Sequence, residues 1–268
     1  MPTITYESWL ERLDPVSLTE INNVAEFQTR IDRKYLLKVN DVLEILRRTE
    51  VQFQALEIGG KRQFKYRSTY LDTEDMSLHK AAAYKRENRH KLRVREYLDS
   101  QICFLEIKSQ SRREESVKSR VEISLQVDER NLKTDLRRLM EVSKTKNFEQ
   151  FDSGMLKETV ITLCTRTTLL APNDSSRVTI DMDCSLSTCE EDVSIFEGWV
   201  IIEIKGGPKA SPFDRELWHS GHRPVPMSKY ALGVALFFPD EPTNIWTTTL
   251  KKLEIIKPQL TPQAAARR

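Results

Sequence analysis

Six segments of this chain alternate charged and apolar residues with a period of two, and that alternation limits the available folds more than any other feature. Side chains two apart on a strand point the same way. Arg30, Asp32 and Lys34 therefore share a face. Arg93 and Arg95 lie opposite Leu92 and Val94, and Glu106 and Lys108 lie opposite Leu105 and Ile107. Lys118, Arg120 and Glu122 oppose Val117, Val121 and Ile123. Further on, Arg177, Thr179, Asp181 and Asp183 oppose Val178, Ile180 and Met182, and Glu203 and Lys205 oppose Val200, Ile202 and Ile204. One such strand is an ordinary half-buried strand with a wet outer face. Six of them, in a chain with enough helical segments to cover the apolar faces from outside, imply that the charged faces turn inward. The expected fold is α+β: an antiparallel β-barrel closed around a charged lumen, with helices packed outside.

The remaining pattern places the other elements. Thr5 to Ser17 reads as a short amphipathic segment carrying Trp9, Leu10 and Leu13 and stopped by Pro15. A strand is expected over Phe27–Val39, followed by a helix capped by Asn40. Phe64–Leu71 reads as a strand, and Asp72-Thr73 opens a helix through Ala81–Ala83, with Asp75 at its positive end. Strands follow at Lys91–Leu98, Ile102–Ser109 and Val117–Val127, the first two joined by a hairpin at Asp99-Ser100. Helices are expected over Asp128–Val142 and Ser153–Thr162, then strands at Cys164–Leu170, Arg177–Cys184 and Gly198–Lys205. Ser211-Pro212 opens one helix and Ser228 caps another, Lys229–Phe237. Gly206-Gly207-Pro208 reads as a strand-ending turn rather than a phosphate loop.

Several classes are excluded or disfavoured. No run approaches the roughly 18 apolar residues of a membrane span, and no signal-peptide pattern opens the chain. Lys and Arg number 42 against 40 Asp and Glu, a net charge of +2, so a general nucleic-acid coat is not expected and any basic surface is local. Cys103, Cys164, Cys184 and Cys189 form no C-x-x-C pair and have no nearby histidine, which argues against zinc and a disulfide framework and for a reducing, cytoplasmic setting. The four histidines share no ligand spacing. A lumen rich in lysine and arginine is strained by like-charge repulsion, and a bound polyanion relieves it, because phosphate oxygens match arginine forks. Carboxylates within it either pair with the cations or hold a divalent metal bridging phosphates.

These segments contain a series of motifs: Asp32-Arg33-Lys34-Tyr35, Ser68-Thr69-Tyr70-Leu71-Asp72-Thr73, Lys91-Leu92-Arg93-Val94-Arg95, Phe104-Leu105-Glu106-Ile107-Lys108, Val117-Lys118-Ser119-Arg120, Ile202-Glu203-Ile204-Lys205 and Ser228-Lys229-Tyr230. In this order the chain resembles the VTC-type polyphosphate polymerase domain, a branch of the CYTH-like triphosphate tunnel metalloenzymes. The resemblance implies a tunnel domain over residues 25–240, preceded by an N-terminal helical segment, 1–24. A C-terminal extension, 241–268, follows, its end expected to be disordered. It also implies transfer of the ATP γ-phosphate onto a growing inorganic polyphosphate chain, with ADP released and Mn2+ or Mg2+ required. Phosphate, pyrophosphate or a chain end is the acceptor.

By the same resemblance Lys34, Arg93, Arg95, Lys108 and Lys118 carry the catalytic grip, joined in substrate binding by Arg166, Arg177, Ser228 and Lys229. Arg30, Arg120 and Lys205 join them from the charged strand faces, and Tyr70 from its motif. Glu203 is the metal ligand, with Glu106 as a second candidate. Pro226 stands where the polymerase pattern often has lysine. The first strand carries Arg30, Asp32 and Lys34 in place of the alternating glutamates of the hydrolytic branch. Two alternatives stay open: a tunnel triphosphatase, and a non-catalytic module binding polyphosphate or inositol phosphates.

Overall fold

The computed structural model describes residues 5–25, 31–87, 89–110, 116–125, 129–143, 153–193 and 196–254. In chain order the elements are α1 (Tyr6–Leu10), β1 (Asp14–Val16), α2 (Leu18–Ala25), β2 (Ile31–Lys38), α3 (Val39–Arg48), β3 (Gln54–Leu56), β4 (Gln63–Thr73) and α4 (Ser77–Ala83). There follow β5 (Arg89–Tyr97), β6 (Ile102–Gln110), β7 (Ser116–Ile123), α5 (Glu129–Val142), β8 (Leu156–Ala171), β9 (Ser176–Ser187) and β10 (Asp192–Val193). β11 (Trp199–Gly206), α6 (Pro212–His219), α7 (Lys229–Phe237) and α8 (Thr247–Lys252) complete the described chain. The strands form one sheet in the order β2-β11-β9-β8-β4-β5-β6-β7. Every pair along that path is antiparallel, and the short β1 adds a parallel contact to β3.

The apolar faces lie outside, as the alternation required. Tyr35, Leu37, Val178, Ile180, Val200, Ile202 and Ile204 pack beneath α1, α3 and α6 in one cluster with Leu10, Val42, Ile45, Phe213 and Leu217. Leu92, Val94, Cys103, Leu105, Ile107, Val121 and Ile123 pack against Leu136 and Leu139 of α5 and Leu78 of α4. Each fully buried aliphatic or aromatic side chain contributes about 1.5–3 kcal/mol, so these two outer clusters force the charged residues onto the concave face. α6 is fastened there by Asp214, which accepts hydrogen bonds from the Tyr35 hydroxyl and from the Ser211 backbone in a capping box.

The sheet curls far enough for its two ends to meet through side chains, with Lys108 of β6 lying 3.4 Å from Asp32 of β2. No backbone pairing joins β2 to β7 among the described residues. The free edge of β2 is covered instead: Val225 N donates to Lys34 O at 2.8 Å and Lys252 Nζ to Leu36 O at 2.7 Å. Pro224 and Pro226, which lack N–H groups, flank Val225, so this segment cannot extend into a full ladder. The result is a tunnel-like barrel that, among the described residues, is not closed by a continuous backbone ladder.

α7 closes one end of the concave face. Asp72 sets its position, accepting from Leu78 N and His79 N at the start of α4 and from the Tyr230 hydroxyl on α7. Gly233 faces Val160 so closely that a Cβ there would fall 2.3 Å from a valine methyl. At another point of the face Val16, Ile21, Leu56, Phe64 and Leu170 form a small apolar cluster.

Four expectations are corrected. Ser153–Thr162 is not a helix: only Ser153–Met155 turns, in a 3-10 geometry, and residues 156 onward belong to the sixteen-residue strand β8. The β-branched run Thr159, Val160, Ile161 and Thr162 suits a strand between β4 and β9. Asn40 does not cap α3, which begins at Val39 with Lys38 in the cap position and no side-chain cap. Asp72-Thr73 ends β4 rather than opening α4, although Asp72 caps that helix from a distance. Asp183 leaves the charged face, because a bulge between Leu163 and Thr165 and a positive φ of 49° at Asp183 turn it outward and put Cys184 inward. The tail expected to be disordered lies, from residue 255 on, outside the described residues.

Candidate functional site

Cross-strand partners share a face, so the register writes out the lumen wall row by row. Lys91, Lys108 and Lys118 stand opposite one another on β5, β6 and β7. The next row is Tyr70, Arg93, Glu106 and Arg120, and the one beyond it Ser68, Arg95 and Phe104. Across the lumen Lys34 pairs with Glu203, Asp32 with Lys205 and then Arg177, and Asp181 with Arg166. Ser228 and Lys229 enter from the N-terminus of α7.

Two buried carboxylates organise this wall. Asp181, 3% exposed, accepts both prongs of the Arg166 guanidinium at 2.6 and 2.8 Å and the Lys229 ammonium at 2.7 Å. Burial alone would raise its pKa, yet these two cations hold it well below the usual carboxylate range. Glu106, 2% exposed, meets Arg93 at 2.7 Å, Lys118 at 2.6 Å and Arg95 at 3.9 Å. Against its burial, these neighbours pull it down to about 2.

The lysine row has the opposite character. Burial, then Lys34, Lys108, Arg93 and Arg89, lower Lys91 to about 7. Burial also lowers Lys118, to about 8, against the opposing pull of Glu106. Lys108 is lowered by burial too, with Asp32 opposing and Lys34 and Lys205 adding to the effect. Lysines held in this state gain from an arriving anion.

The other candidates fall as follows. Tyr70 stacks on Tyr230, centroids 4.9 Å apart, and its hydroxyl accepts from Arg93 at 3.3 Å, so it buttresses an arginine. Arg120 is exposed and lies over the Phe104 ring at 4.5 Å, at the rim. Arg177 sits beside Lys205 in register. Lys205 lies 3.2 Å from Glu203 and 3.5 Å from Asp32. Lys34 donates to Met227 O at 3.5 Å. Arg30 lies outside the described residues. The sequence reading passed over Lys91, although its place two and four residues before Arg93 and Arg95 put it on their face. It also missed the partnership of Asp181 with Lys229, which spans 48 residues and has no local signal.

For a divalent metal the two glutamates differ. Glu106 spends both carboxylate oxygens on cations and does not fit. Glu203, drawn well below its usual pKa despite burial by Lys34, Lys205, Arg166 and Lys108, shows one oxygen engaged by Lys205. It fits the mode in which Mg2+ or Mn2+ takes one protein carboxylate plus phosphate oxygens. Among the described residues no group of three or more His, Cys, Asp and Glu forms a self-sufficient cage, and no helix is long and apolar enough to cross a membrane.

Comparison with known proteins then bears on this lumen. No curated protein sequence matches the chain. Solved structures resemble it at low identity. One from Hippeastrum, a candidate adenylyl cyclase described as having a dominant triphosphatase activity, is 15% identical, with a TM-score of 0.48, over 77% of this chain and 96% of that one. A candidate adenylate cyclase from Vibrio parahaemolyticus is 10% identical, with a TM-score of 0.45, over 76% and 98%. Another from Bacillus halodurans is 15% identical, with a TM-score of 0.42, over 90% and 98%. Assignment rests instead on the family model of the VTC domain, which matches residues 29–238. The chain belongs to the VTC domain family.

Proposed function

We propose, from membership of the VTC domain family and a concave face on which cations outnumber carboxylates, that this chain is an ATP:polyphosphate phosphotransferase. The observation that carries the reading is the row Lys91–Lys108–Lys118, three like charges set directly opposite one another on adjacent strands. Such a row costs stability on its own and is useful only against an extended polyanion. ATP and a second phosphate chain would lie along this wall together.

In the reaction, a terminal oxygen of phosphate or of a polyphosphate end attacks the γ-phosphorus. The bond to the β–γ bridging oxygen breaks, and ADP leaves with that oxygen. Positioning and charge neutralisation supply most of the acceleration in phosphoryl transfer. Arg93 and Arg95, held in place by Glu106, present forked donors to equatorial oxygens. Lys34, Lys108, Lys118 and Lys205 neutralise the chains, while Arg166 and Lys229 keep Asp181 and α7 in place beside them. Arg177, Arg120, Tyr70 and Ser228 shape the remaining wall, and Arg30 is assigned to it by sequence alone. Glu203 would hold Mn2+ or Mg2+, which as a Lewis acid would draw charge from the phosphate oxygens.

A second reading, triphosphate hydrolysis, is favoured by the lack of a backbone ladder between β2 and β7 among the described residues, since a barrel not sealed by pairing admits water more readily. Incubation with ATP and manganese separates them. The polymerase reading expects ADP and a phosphatase-sensitive ladder of polyphosphate on a gel. ADP with equimolar orthophosphate and no ladder, even with short polyphosphate primers, overturns it in favour of hydrolysis. Saturable binding without turnover would point to a polyphosphate or inositol phosphate binder.

A further inference from the structure

Lys91 differs from Arg93, Lys108, Lys118 and Lys229 in what surrounds it. Its ammonium donates at 2.8 Å to the Ser228 hydroxyl, a neutral oxygen at the N-cap of α7. The charged groups acting on it most strongly are Lys34 on β2, Lys108 on β6, and Arg89 and Arg93 on β5, all cations. His79 on α4 also feels it, and the pKa of that imidazole is lowered, first by burial and in smaller part by Lys91. Arg93 has Glu106, Lys118 has Glu106, Lys108 has Asp32, and Lys229 has Asp181. Placing a half-buried lysine at the meeting of β5 and the α7 N-terminus without a carboxylate costs stability and gains nothing in the empty lumen.

We propose that Lys91 is a further phosphate-contacting residue of the lumen, held against the Ser228 hydroxyl while the lumen is empty and set on an anionic oxygen when a polyanion arrives. The inference rests on the reading of the lumen as a triphosphate site. A phosphate oxygen near Ser228 would supply the missing negative charge. The same contact would reach the N-terminus of α7, whose backbone N–H groups also favour an anion. Burial and the surrounding cations lower the proton affinity of Lys91 in the empty lumen, so binding also takes up a proton, which comes from buffer and stays on the Lys91 amine while the anion is bound.

Calorimetric titration of ATP, without added metal, at pH 8 in buffers of different ionisation enthalpy counts this proton. At that pH ATP carries essentially no titrating proton of its own. The wild type should take up close to one proton more than Lys91→Arg, since arginine stays charged throughout. Lys118 contributes equally to both and cancels. Lys91→Arg should bind ATP within about threefold of wild type, and Lys91→Met about tenfold or more weakly. The wild type alone gives a second reading, in case the variants fold poorly: between pH 7.5 and 9 its affinity should fall by up to about tenfold per unit. Equal proton uptake in wild type and Lys91→Arg, or a flat wild-type profile, would overturn the assignment of Lys91 while leaving the lumen a nucleotide site. Absence of any ATP binding at pH 6 to 8 would overturn both.

Discussion

On the β8–β9 wall of the lumen, Asp181 lies between Arg166 and Lys229, and the carboxylate and each cation reinforce one another's charge. On the β5–β7 wall, Lys91, Lys108 and Lys118 stand side by side, and burial together with neighbouring cations (Lys34 for Lys91 and Lys108, Arg93 for Lys91 and Lys118) lowers the proton affinity of all three. Both groups look alike in sequence, as charged residues at alternate strand positions. The difference is one of partnership. The triad is complete without a ligand and acts as a strut between the sheet and α7, whereas the row keeps an excess of positive charge: Lys118 shares Glu106 with two arginines, Lys108 has a long contact to Asp32, and Lys91 meets a neutral hydroxyl.

The sharpest way to break this distinction is to remove the strut. Asp181→Asn leaves Arg166 and Lys229 buried without a countercharge and should cost about 3–5 kcal/mol, read by urea denaturation. A loss below about 1 kcal/mol would mean the triad is solvated and replaceable. Next in size is Glu203→Gln, which keeps shape but removes a carboxylate that fits a metal. Under saturating manganese it should lower turnover about a hundredfold, and unchanged turnover would remove Glu203 from the site.

Much of this contrast was legible in advance, and the reasons differ by element. β2 reads directly from its alternation, with Asp32, Lys34 and Leu36 inward and Arg33, Tyr35 and Leu37 outward, because α3 and α6 impose the burial that fixes its phase. The α7 cap at Ser228 was equally plain, since capping chemistry is local. The first half of β8 was misread because Leu156, Thr159 and Val160 also fit a helical face, and only pairing to β4 and β9 decides between them. The bulge at Asp183 was invisible, since no glycine marks its positive φ. Above all, neighbours in space were out of reach. The strand faces left open whether Glu106 pairs with a cation or holds a metal, and in space it grips Arg93 at 2.7 and 2.9 Å.

Carboxylates and lysines should both gain stability as pH rises, in separate ranges and for opposite reasons. Glu106 and Asp181 have folded-state pKa values below their unfolded ones. Their stabilisation is complete above the unfolded carboxylate range, near pH 4, and is lost as pH falls toward about 2. For Lys91 and Lys118, at about 7 and about 8, the unfolded chain binds more protons across pH 7 to 9. Stability should therefore rise over that interval, by about 1–2 kcal/mol after allowing for solvent screening. Urea denaturation at pH 7, 8 and 9 should show the rise, and Lys91→Met should flatten it. A wild-type curve that is flat or falling would mean the row is not under charge strain.

The central claim is that the row exists for a polyanion and not for the fold. Lys108→Met tests it most directly, because the contact of Lys108 with Asp32 at 3.4 Å is half-exposed and weak. Equilibrium dialysis of ATP against wild type and variant, with a melting curve of each, reads both sides of the comparison at once. The account predicts ATP affinity weakened about three- to tenfold, with a melting temperature unchanged or slightly raised. Unchanged affinity together with a lowered melting temperature would contradict it.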